Sequence, residues 1–422
     1  MNRDRVDVTP VTNIRKNPRF RLHTFSSLRH GNFRLIWATT FFSSAAMWVQ
    51  QVTLGWLIYD LTESALKVGM LMAVRSIPAL LVGPFAGVLV DRMDRRKLLI
   101  TTQLGMAILA VAFATLLASP YLQVWHLYVF TLMTGIGWSL NIPLRQAMVA
   151  NSVPKEDLMN AFALNSMAFN LNRMIGPAIG GILIALSGAA TNFFIQALFY
   201  VAVALVVLPI RIPQADFSTT RHSSILSSLQ EGIRYVIKEP TILSLILLAL
   251  VPSLFMMPFT MGLMPVFAAE VLNAGPAGLG LLLSFNGFGA LLGVLIIASF
   301  GNIQRKGRLL LTAATMAGLM VVVLSFTRSM PLALLALTGV GLGQQVYMVT
   351  NNTLIQTITP DTFRGRVMSL YHLDHGFTPL GALYAGTIAE FWGSPIAMLI
   401  GGTSAVILII LMGSKFHSLR QA

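Results

Sequence analysis

The sequence predicts an all-α membrane protein with twelve transmembrane helices in two pseudo-symmetric six-helix bundles. Apolar residues make up 55% of the 422 positions and charged residues only 10%, whereas a soluble chain needs roughly 25% charged residues to cover its surface. Twelve apolar stretches are long enough to cross a bilayer, and the two halves of the chain share spaced glycine, proline and basic positions. We therefore expect the lipid bilayer to be the chain's main surrounding.

The apolar stretches define the predicted spans, since a transmembrane helix needs about 20 mostly apolar residues. The polar segment 211–239 is the longest interruption and separates six spans from six. The predicted organisation is a basic N-tail over 1–32, a first bundle over 33–210, a linker over 211–239, a second bundle over 240–414 and a C-tail over 415–422. The predicted spans are 33–58, 69–90, 98–119, 123–149, 158–186, 192–210, 240–269, 277–300, 308–328, 331–357, 362–389 and 393–414.

The basic residues are distributed unevenly about these spans. Of the 29 Lys and Arg, Lys67 and Arg328 fall in the predicted outer loops, Arg75 and Arg173 fall within spans, and the others lie on the side that holds both chain ends. Because cytoplasmic loops are enriched in Lys and Arg, we expect a multi-pass protein of a bacterial inner membrane with both termini in the cytoplasm. The net charge of +14 then reflects topology and attraction to anionic lipid, and we expect no nucleic-acid binding.

Several chemical functions are excluded by residues that the chain lacks. There is no cysteine, so the sequence offers neither a disulfide framework nor a thiolate metal site. No phosphate-binding loop of the form G-x-x-x-x-G-K-[ST] occurs, which argues against ATP hydrolysis. We expect a monomer without catalytic residues, cofactor or metal, and not an enzyme.

The two halves also show a weak internal repeat. Gly69-Met-Leu-Met-Ala-Val-Arg75 aligns with Gly280-Leu-Leu-Leu-Ser-Phe-Asn286, and Gly135-Ile-Gly137 aligns further on with Gly341-Leu-Gly343. Internal symmetry of this kind is a mark of transporter folds, in which the substrate site lies at the interface of the repeats near the middle of the bilayer. The alternative is chance similarity among apolar helices.

Two motifs carry a resemblance to a known family. The loop after the second span reads Gly87-Val-Leu-Val-Asp91-Arg92-Met-Asp94-Arg95-Arg96-Lys97, and the fifth span contains Gly176-Pro177-Ala-Ile-Gly180-Gly181. The first resembles the signature loop of the major facilitator superfamily, with Asp94 in place of a glycine, and the second resembles its antiporter motif. With Trp56–Thr62, Pro143–Ala147 and Arg364–Leu370, the chain resembles the bacterial exporter branch that includes macrolide efflux proteins and the enterobactin exporter.

The resemblance implies alternating access and a contact between the second and eleventh spans. We expect the charged groups at the cytoplasmic ends of these two spans to form a latch that holds an outward-facing state. The alternative is a solvated basic loop. The predicted latch residues are Asp91, Arg92, Arg95, Arg364 and Arg366.

Charged residues inside the membrane are expensive and mark candidate sites. At 1.5 Å per residue, Asp374 lies ~18 Å from the cytoplasmic start of its span and Arg75 ~9 Å from the outer end of its own, which places them at nearly the same depth. We predict an Arg75–Asp374 pair, with His372 or His375 sharing a proton. In the alternatives, Arg75 extends to the outer surface and Asp374 pairs with a histidine of its own helix.

Arg173 lies in the fifth span. We expect it to join either a hydrogen-bond network within its own bundle or Asn286 of the eighth span. The acid that many relatives carry in the first span is missing from Ala45-Ala46-Met47-Trp48-Val49-Gln50, so coupling to protons through that position is unsupported.

The first, fourth, seventh and tenth spans line the cavity in this superfamily. Their mixture of aromatic, amide and methionine side chains suits a bulky amphipathic compound. We predict secondary-active export of a hydrophobic or amphipathic small molecule, drug-like or a siderophore, with proton coupling as an option. The alternatives are a lipid or lysolipid translocator and a non-transporting membrane sensor. The predicted cavity residues are Trp48, Gln50, Gln51, Trp138, Asn141, Met257, Met261, Gln344, Gln345, Tyr347 and Asn351.

Overall fold

The computed structural model describes residues 25–210, 225–300 and 305–416. Within these ranges the chain is helical and contains no strand. Nine of the described helices are long and apolar enough to cross a membrane. A long helix of mixed polarity and two helices that are broken in mid-membrane supply the remaining crossings. The fold class predicted from the sequence, twelve helices in two bundles, is confirmed.

The first half of the chain forms one bundle. α1 packs against α6 and α7, α4 packs against α7, and α2 packs against α5. In the interior, the rings of Phe113 and Phe130 stack with 4.3 Å between centroids, and Phe193 meets Phe113 edge-on. The helices are α1 (Gly31–Thr62), α2 (Ala65–Leu81), α3 (Gly83–Arg92), α4 (Arg95–Leu117), α5 (Val124–Ala150), α6 (Leu158–Ser187) and α7 (Ala189–Val207).

The second half forms the other bundle, in which α13 packs against α11 and α12, and α12 packs against α15. Gly393 has a φ of 81°, a left-handed conformation that favours glycine, and α15 turns back there to supply parts of two spans. The helices are α8 (Ile225–Lys238), α9 (Pro240–Phe255), α10 (Met264–Val266), α11 (Gly275–Phe300), α12 (Lys306–Phe326), α13 (Met330–Ile358), α14 (Asp361–His372) and α15 (Thr378–Lys415).

Three spans that the sequence predicted as continuous are interrupted. The second divides at Val82 into α2 and α3, where Pro84 lacks an N–H and its ring disfavours an unbroken helix. The seventh contains π-helical turns at Pro258–Gly262 and Phe267–Val271, and the eleventh has a 3-10 turn at Leu373–Phe377 between α14 and α15. Irregular backbone at membrane depth is tolerated only against protein or a water-filled cavity, so these spans face the interior.

The linker predicted as an irregular polar segment over 211–239 is helical over its second part, and residues 211–224 lie outside the described ranges. Helix α8 rests on α14 and α9. The ring of Tyr235 stacks on Phe363 at 4.4 Å, and Val236 is buried. Tyr235 and Val236 therefore hold α8 against the neighbouring helices.

Segment 25–30 is tied to the start of α6. Asp157 accepts a hydrogen bond from Arg29 Nη2 at 2.9 Å and lies 2.8 Å from His30 Nε2. These contacts, that of His30 first, lower the pKa of the Asp157 carboxyl to about 2. Ser26 Oγ donates a third hydrogen bond to the same carboxylate at 3.1 Å.

The two membrane faces differ in charge. We call the face that carries Arg92, Arg96, Lys97, Arg308 and Arg364 the basic face, and the other the opposite face. Asp94, the departure from the family signature, begins α4 on the basic face by accepting a hydrogen bond from the Lys97 backbone N–H at 3.0 Å. An aspartate at this position stabilises the start of the helix, because its carboxylate accepts a hydrogen bond from a backbone N–H of the first turn.

Candidate functional site

A cavity of about 440 Å³ lies in the first bundle, on the side that faces the second bundle. It begins near the middle of α1, α2 and α5 and runs toward the basic face, where Ile142 and Gln146 are exposed. Most of its wall is apolar, as in small-molecule sites generally. Its lining residues are Met47, Gln50, Gln51, Arg75, Ala79, Gly83, Thr134, Gly135, Trp138, Ser139, Ile142, Pro143 and Gln146.

Above the cavity, toward the opposite face, the two bundles touch. Tyr59 Oη donates to Glu270 at 2.8 Å. Glu390 accepts from Ser64 Oγ and from the Leu66 backbone N–H, both at 2.9 Å, and so caps α2 of the other bundle. We call these contacts, with the helix pairs α2–α15 and α6–α11, the cross-half closure. It seals the cavity from the opposite face.

Glycines allow the closure to be tight. A Cβ on Gly69 of α2 would lie 2.5 Å from the carbonyl oxygen of Ala382 in α15. On the other flank, a Cβ on Gly280 of α11 would overlap the carbonyl oxygen of Pro177 in α6. Backbones that approach this closely leave no room for a side chain, so any larger residue at these positions pushes the bundles apart.

Arg173 belongs to the closure as well. Its Nη2 donates to Asn286 Oδ1 at 3.0 Å, which joins the fifth span to the eighth. Five residues further along α6, directly after Pro177, the Ala178 backbone N–H donates to Ser284 Oγ at 2.9 Å. Of the two environments predicted for Arg173, the structure therefore has the one between bundles.

Three of the predicted cavity residues in the first bundle line the cavity, namely Gln50, Gln51 and Trp138. The Gln50 amide is held by Thr134 Oγ1, at 2.9 Å, and by Gln196. Gln51 Nε2 donates to the sulfur of Met261 at 3.5 Å, which places Met261 at the roof of the cavity. Sequence reasoning missed Ser139 and Gln146, which lie two helical turns apart on α5 and line the cavity with Trp138.

Trp48 and Asn141 do not line the cavity. The Trp48 ring packs against Phe169, 5.9 Å between centroids, and its Cβ abuts Gly176. Asn141 is 1% exposed and bonds Gln103 of α4 at 2.7 Å. Both predictions failed because helix positions that neighbour a lining residue point about 100° away from it.

In the second bundle the predicted tenth-span residues are mostly structural. Asn351 is fully buried and donates to Tyr347 Oη at 3.0 Å and to the Leu245 carbonyl at 3.3 Å. Gln345 is 7% exposed. The predicted residue Gln344 is partly buried and shares one face of α13 with Met348 and Asn352, at intervals of four residues. Met257 lies partly buried beside the first π-helical turn.

Two of the predicted latch residues, Arg364 and Arg366, have partners outside the predicted latch in this structure. Arg364 pairs with Asp361 at 2.6 Å and Arg366 pairs with Glu231 of α8 at 2.8 Å, both acids of the second half. Arg92 is exposed and Arg95 partly buried at the start of α4, while the Asp91 side chain lies outside those described.

The predicted Arg75–Asp374 pair is also not formed. Arg75 lines the cavity, whereas Asp374, 9% exposed, accepts a hydrogen bond from Ser253 Oγ of α9 at 3.3 Å. The depth estimate fits, but the 3-10 turn at Leu373–Phe377 turns the carboxylate toward α9. His372 ends α14 next to this turn, and the side chain of His375 lies outside those described.

Arg145 is one of the basic residues that the sequence assigns to the side of both chain ends, but it is not a loop residue. It lies inside α5, 7% exposed, and donates to the Thr39 carbonyl at 3.0 Å and to Ser43 Oγ. The first bundle therefore holds a second buried guanidinium close to the cavity.

Residues 22–421 match a family model described as transmembrane secretion effector, of the major facilitator type. Among curated proteins, the chain is 24% identical to the staphyloferrin A transporter of Staphylococcus aureus, covering 88% of this chain and 94% of that one. It is 26% identical to the multidrug efflux pump Tap of Mycolicibacterium fortuitum, covering 91% and 97%. It is also 26% identical to the enterobactin exporter EntS of Escherichia coli, covering 93% and 94%.

Solved structures share the fold. A mutant of the nucleoside transporter NupG superposes with a TM-score of 0.77 at 13% identity, covering 91% of this chain and all of that one. A bacterial homolog of the human lysosomal transporter Spinster superposes with a TM-score of 0.72 at 16% identity, covering 94% and 99%. At these identities the likeness concerns architecture.

Proposed function

The chain belongs to the transmembrane secretion effector family of the major facilitator superfamily, and from this premise we propose that it exports a hydrophobic or amphipathic small molecule by alternating access. It is a multi-pass membrane transporter and not an enzyme. The observation that carries the proposal is the cavity of the first bundle, on its side that faces the second bundle, open toward the basic face and sealed by the cross-half closure. Its relatives are exporters of siderophores, drugs and macrolides, which supports cargo of that size and polarity.

We place the basic face in the cytoplasm of a bacterial cell, with both termini, because Lys and Arg are retained on that side. The conformation is then inward-open. In the opposite state the closure separates and the basic ends of the bundles meet. There Arg364 and Arg366 leave Asp361 and Glu231 and join the loop of Asp91, Arg92 and Arg95 as the latch. The transporter acts as a monomer in this proposal.

Coupling to protons is the further part of the proposal, and Asp374 is its site. In the described part of the second bundle, Asp374 is the acid that lies away from both membrane faces. It joins two interrupted spans, since Ser253 precedes the π-helical turn at Pro258–Gly262 and Asp374 lies in the 3-10 turn. Discontinuous helices of this kind form the coupling-ion sites of many secondary transporters.

Transport through the cavity is tested by filling it. We expect Ser139→Trp to abolish flux, because Ser139 lines the cavity and its hydroxyl bonds only the Gly135 carbonyl of its own helix, at 2.9 Å. The measurement is proton-gradient-driven flux of a panel of hydrophobic drugs and siderophores in proteoliposomes. Leu198→Trp is the matched control and should transport normally, because Leu198 of α7 is 67% exposed. Normal flux in Ser139→Trp would exclude this cavity as the path.

A further inference from the structure

We propose that the cavity takes an anionic substrate, a hydrophobic or aromatic organic acid whose carboxylate, sulfonate or phenolate binds the guanidinium of Arg75. This inference rests on the proposed function and names the class of molecule that the cavity selects. Three features of the first bundle carry it: the position of Arg75, the absence of a protein partner for its charge, and the sign of the charges around the cavity.

Arg75 is held in the middle of the membrane at the cavity wall. It lies ten residues into α2, about 15 Å along the helix from its start near the opposite face. Gly135 of α5 allows the close approach that fixes it there, because a Cβ on Gly135 would lie 2.8 Å from Pro78 Cγ and 3.3 Å from the Arg75 carbonyl oxygen. The side chain is partly buried and shares the cavity with Gln51 and Ser139.

Among the described residues, none supplies a countercharge to Arg75. Its guanidinium makes no hydrogen bond or ion pair with any residue that the structure describes. The neighbouring Gln50 amide bonds Thr134 through its nitrogen and Gln196 through its oxygen. A cation at this depth without an anion beside it is costly, and an anionic substrate would remove that cost.

Within the first bundle, the charges near the cavity have the same sign as that of Arg75. Arg145 lies behind the wall with donors bound only to neutral oxygens, those of Thr39 and Ser43, and Arg173 binds the neutral Asn286. The sequence has no Asp or Glu at 31–59, 64–90, 95–155 or 158–210, so none of the six spans of this bundle supplies a carboxylate to the cavity. A cationic drug would meet repulsion here and an anion attraction.

The remaining wall describes the rest of the molecule. Met47, Trp138 and Ile142 offer apolar and aromatic surface, while Gln51, Ser139 and Gln146 offer a few neutral hydrogen-bonding groups. A planar guanidinium binds carboxylate or sulfonate oxygens through two parallel N–H donors. The ligand that fits is therefore an amphipathic acid with its anionic group near the middle of the membrane and its ring system along α5.

Two probes of one ring system test the charge requirement. Anilinonaphthalene sulfonate carries a negative charge, and phenylnaphthylamine is its neutral counterpart. Binding to the full chain in lipid nanodiscs is measured by equilibrium dialysis, with empty nanodiscs subtracted. We expect Arg75→Gln to weaken binding of the sulfonate probe at least about tenfold and to leave that of phenylnaphthylamine unchanged, whereas Arg75→Lys retains most of the preference.

Arg308→Gln is the control, because it removes the same charge from the exposed start of α12, outside this cavity. It should leave both affinities as they are. The inference is overturned if Arg75→Gln binds the sulfonate probe as tightly as the unaltered chain does. It is also overturned if the unaltered chain does not bind the sulfonate probe. A third outcome separates the two proposals: Ser139→Trp blocks flux, and Arg75→Gln leaves the flux of charged and neutral compounds unchanged. This outcome would refute the anion site but not the transport function.

Discussion

Replacing Gly280 by leucine is expected to force the cross-half closure apart and convert the protein to its outward-open state. Even a Cβ at this position overlaps the Pro177 carbonyl oxygen of the other bundle, and backbone does not yield as a flexible side chain does. Overpacking costs roughly 1–3 kcal/mol in ordinary cores and more against backbone. A penalty of about 3 kcal/mol on the closed state alone shifts the ratio of the two states by more than about a hundredfold.

The chain has no cysteine, so a single Ser139→Cys reports which face reaches the cavity. We expect a membrane-impermeant maleimide to label it only from the basic face in the otherwise unaltered chain, and from the opposite face when Gly280→Leu is added. Gly105→Leu is the matched control, because no atom lies within 4 Å of a Cβ there. Gly280→Ala should act in the same direction with a smaller shift. Unchanged labelling in Gly280→Leu would mean that α6 and α11 do not form the closure.

The second large effect is expected from Asp374→Asn. Asparagine keeps an oxygen that accepts the Ser253 hydrogen bond but cannot take up or release a proton. If Asp374 couples transport to protons, accumulation driven by a proton gradient should be abolished. Exchange of labelled for unlabelled substrate across the membrane should persist, because it needs no net proton movement.

The measurement compares these two modes in the same proteoliposomes, with one compound that the unaltered chain accumulates. Glu239→Gln, an exposed position between α8 and α9, is the control and should retain both modes. Gradient-driven accumulation at the normal rate in Asp374→Asn would remove Asp374 from the coupling mechanism. Loss of both modes, with normal insertion, would assign it a structural role instead.

The fold could be predicted from the sequence because the chain folds in a bilayer. Lipid demands long apolar helices, and the Lys and Arg distribution orders them, so both signals are local and cumulative. The interruptions were less accessible. Pro84 and Pro379 each follow a break, in the second and the eleventh span. Pro143 and Pro177 lie inside unbroken helices, so a proline alone did not identify the breaks. The sequence of α8 has an amphipathic pattern, but the polar residues on either side of it led to the prediction of a linker over 211–239.

The sequence predicted how deep the site residues lie in the membrane, but not the direction in which their side chains point. Counting 1.5 Å per residue placed Arg75 and Asp374 at similar levels, but each helix position also turns about 100°, and one broken turn redirects a side chain. The same one-position difference separates buried Asn351 from accessible Asn352. The bond between Ser64 and Glu390 joins residues from opposite halves, and no local pattern in the sequence announces it.

Paired distances between the bundles test alternating access most directly. Spin labels are placed on introduced cysteines at Tyr121 and Arg328 on the opposite face, and in a second sample at Lys97 and Arg308 on the basic face, all exposed and one in each bundle of a pair. We predict that Gly280→Leu, or a transported compound, lengthens the first distance and shortens the second together. A chain that transports while the distance across the opposite face stays constant under both conditions would contradict the account.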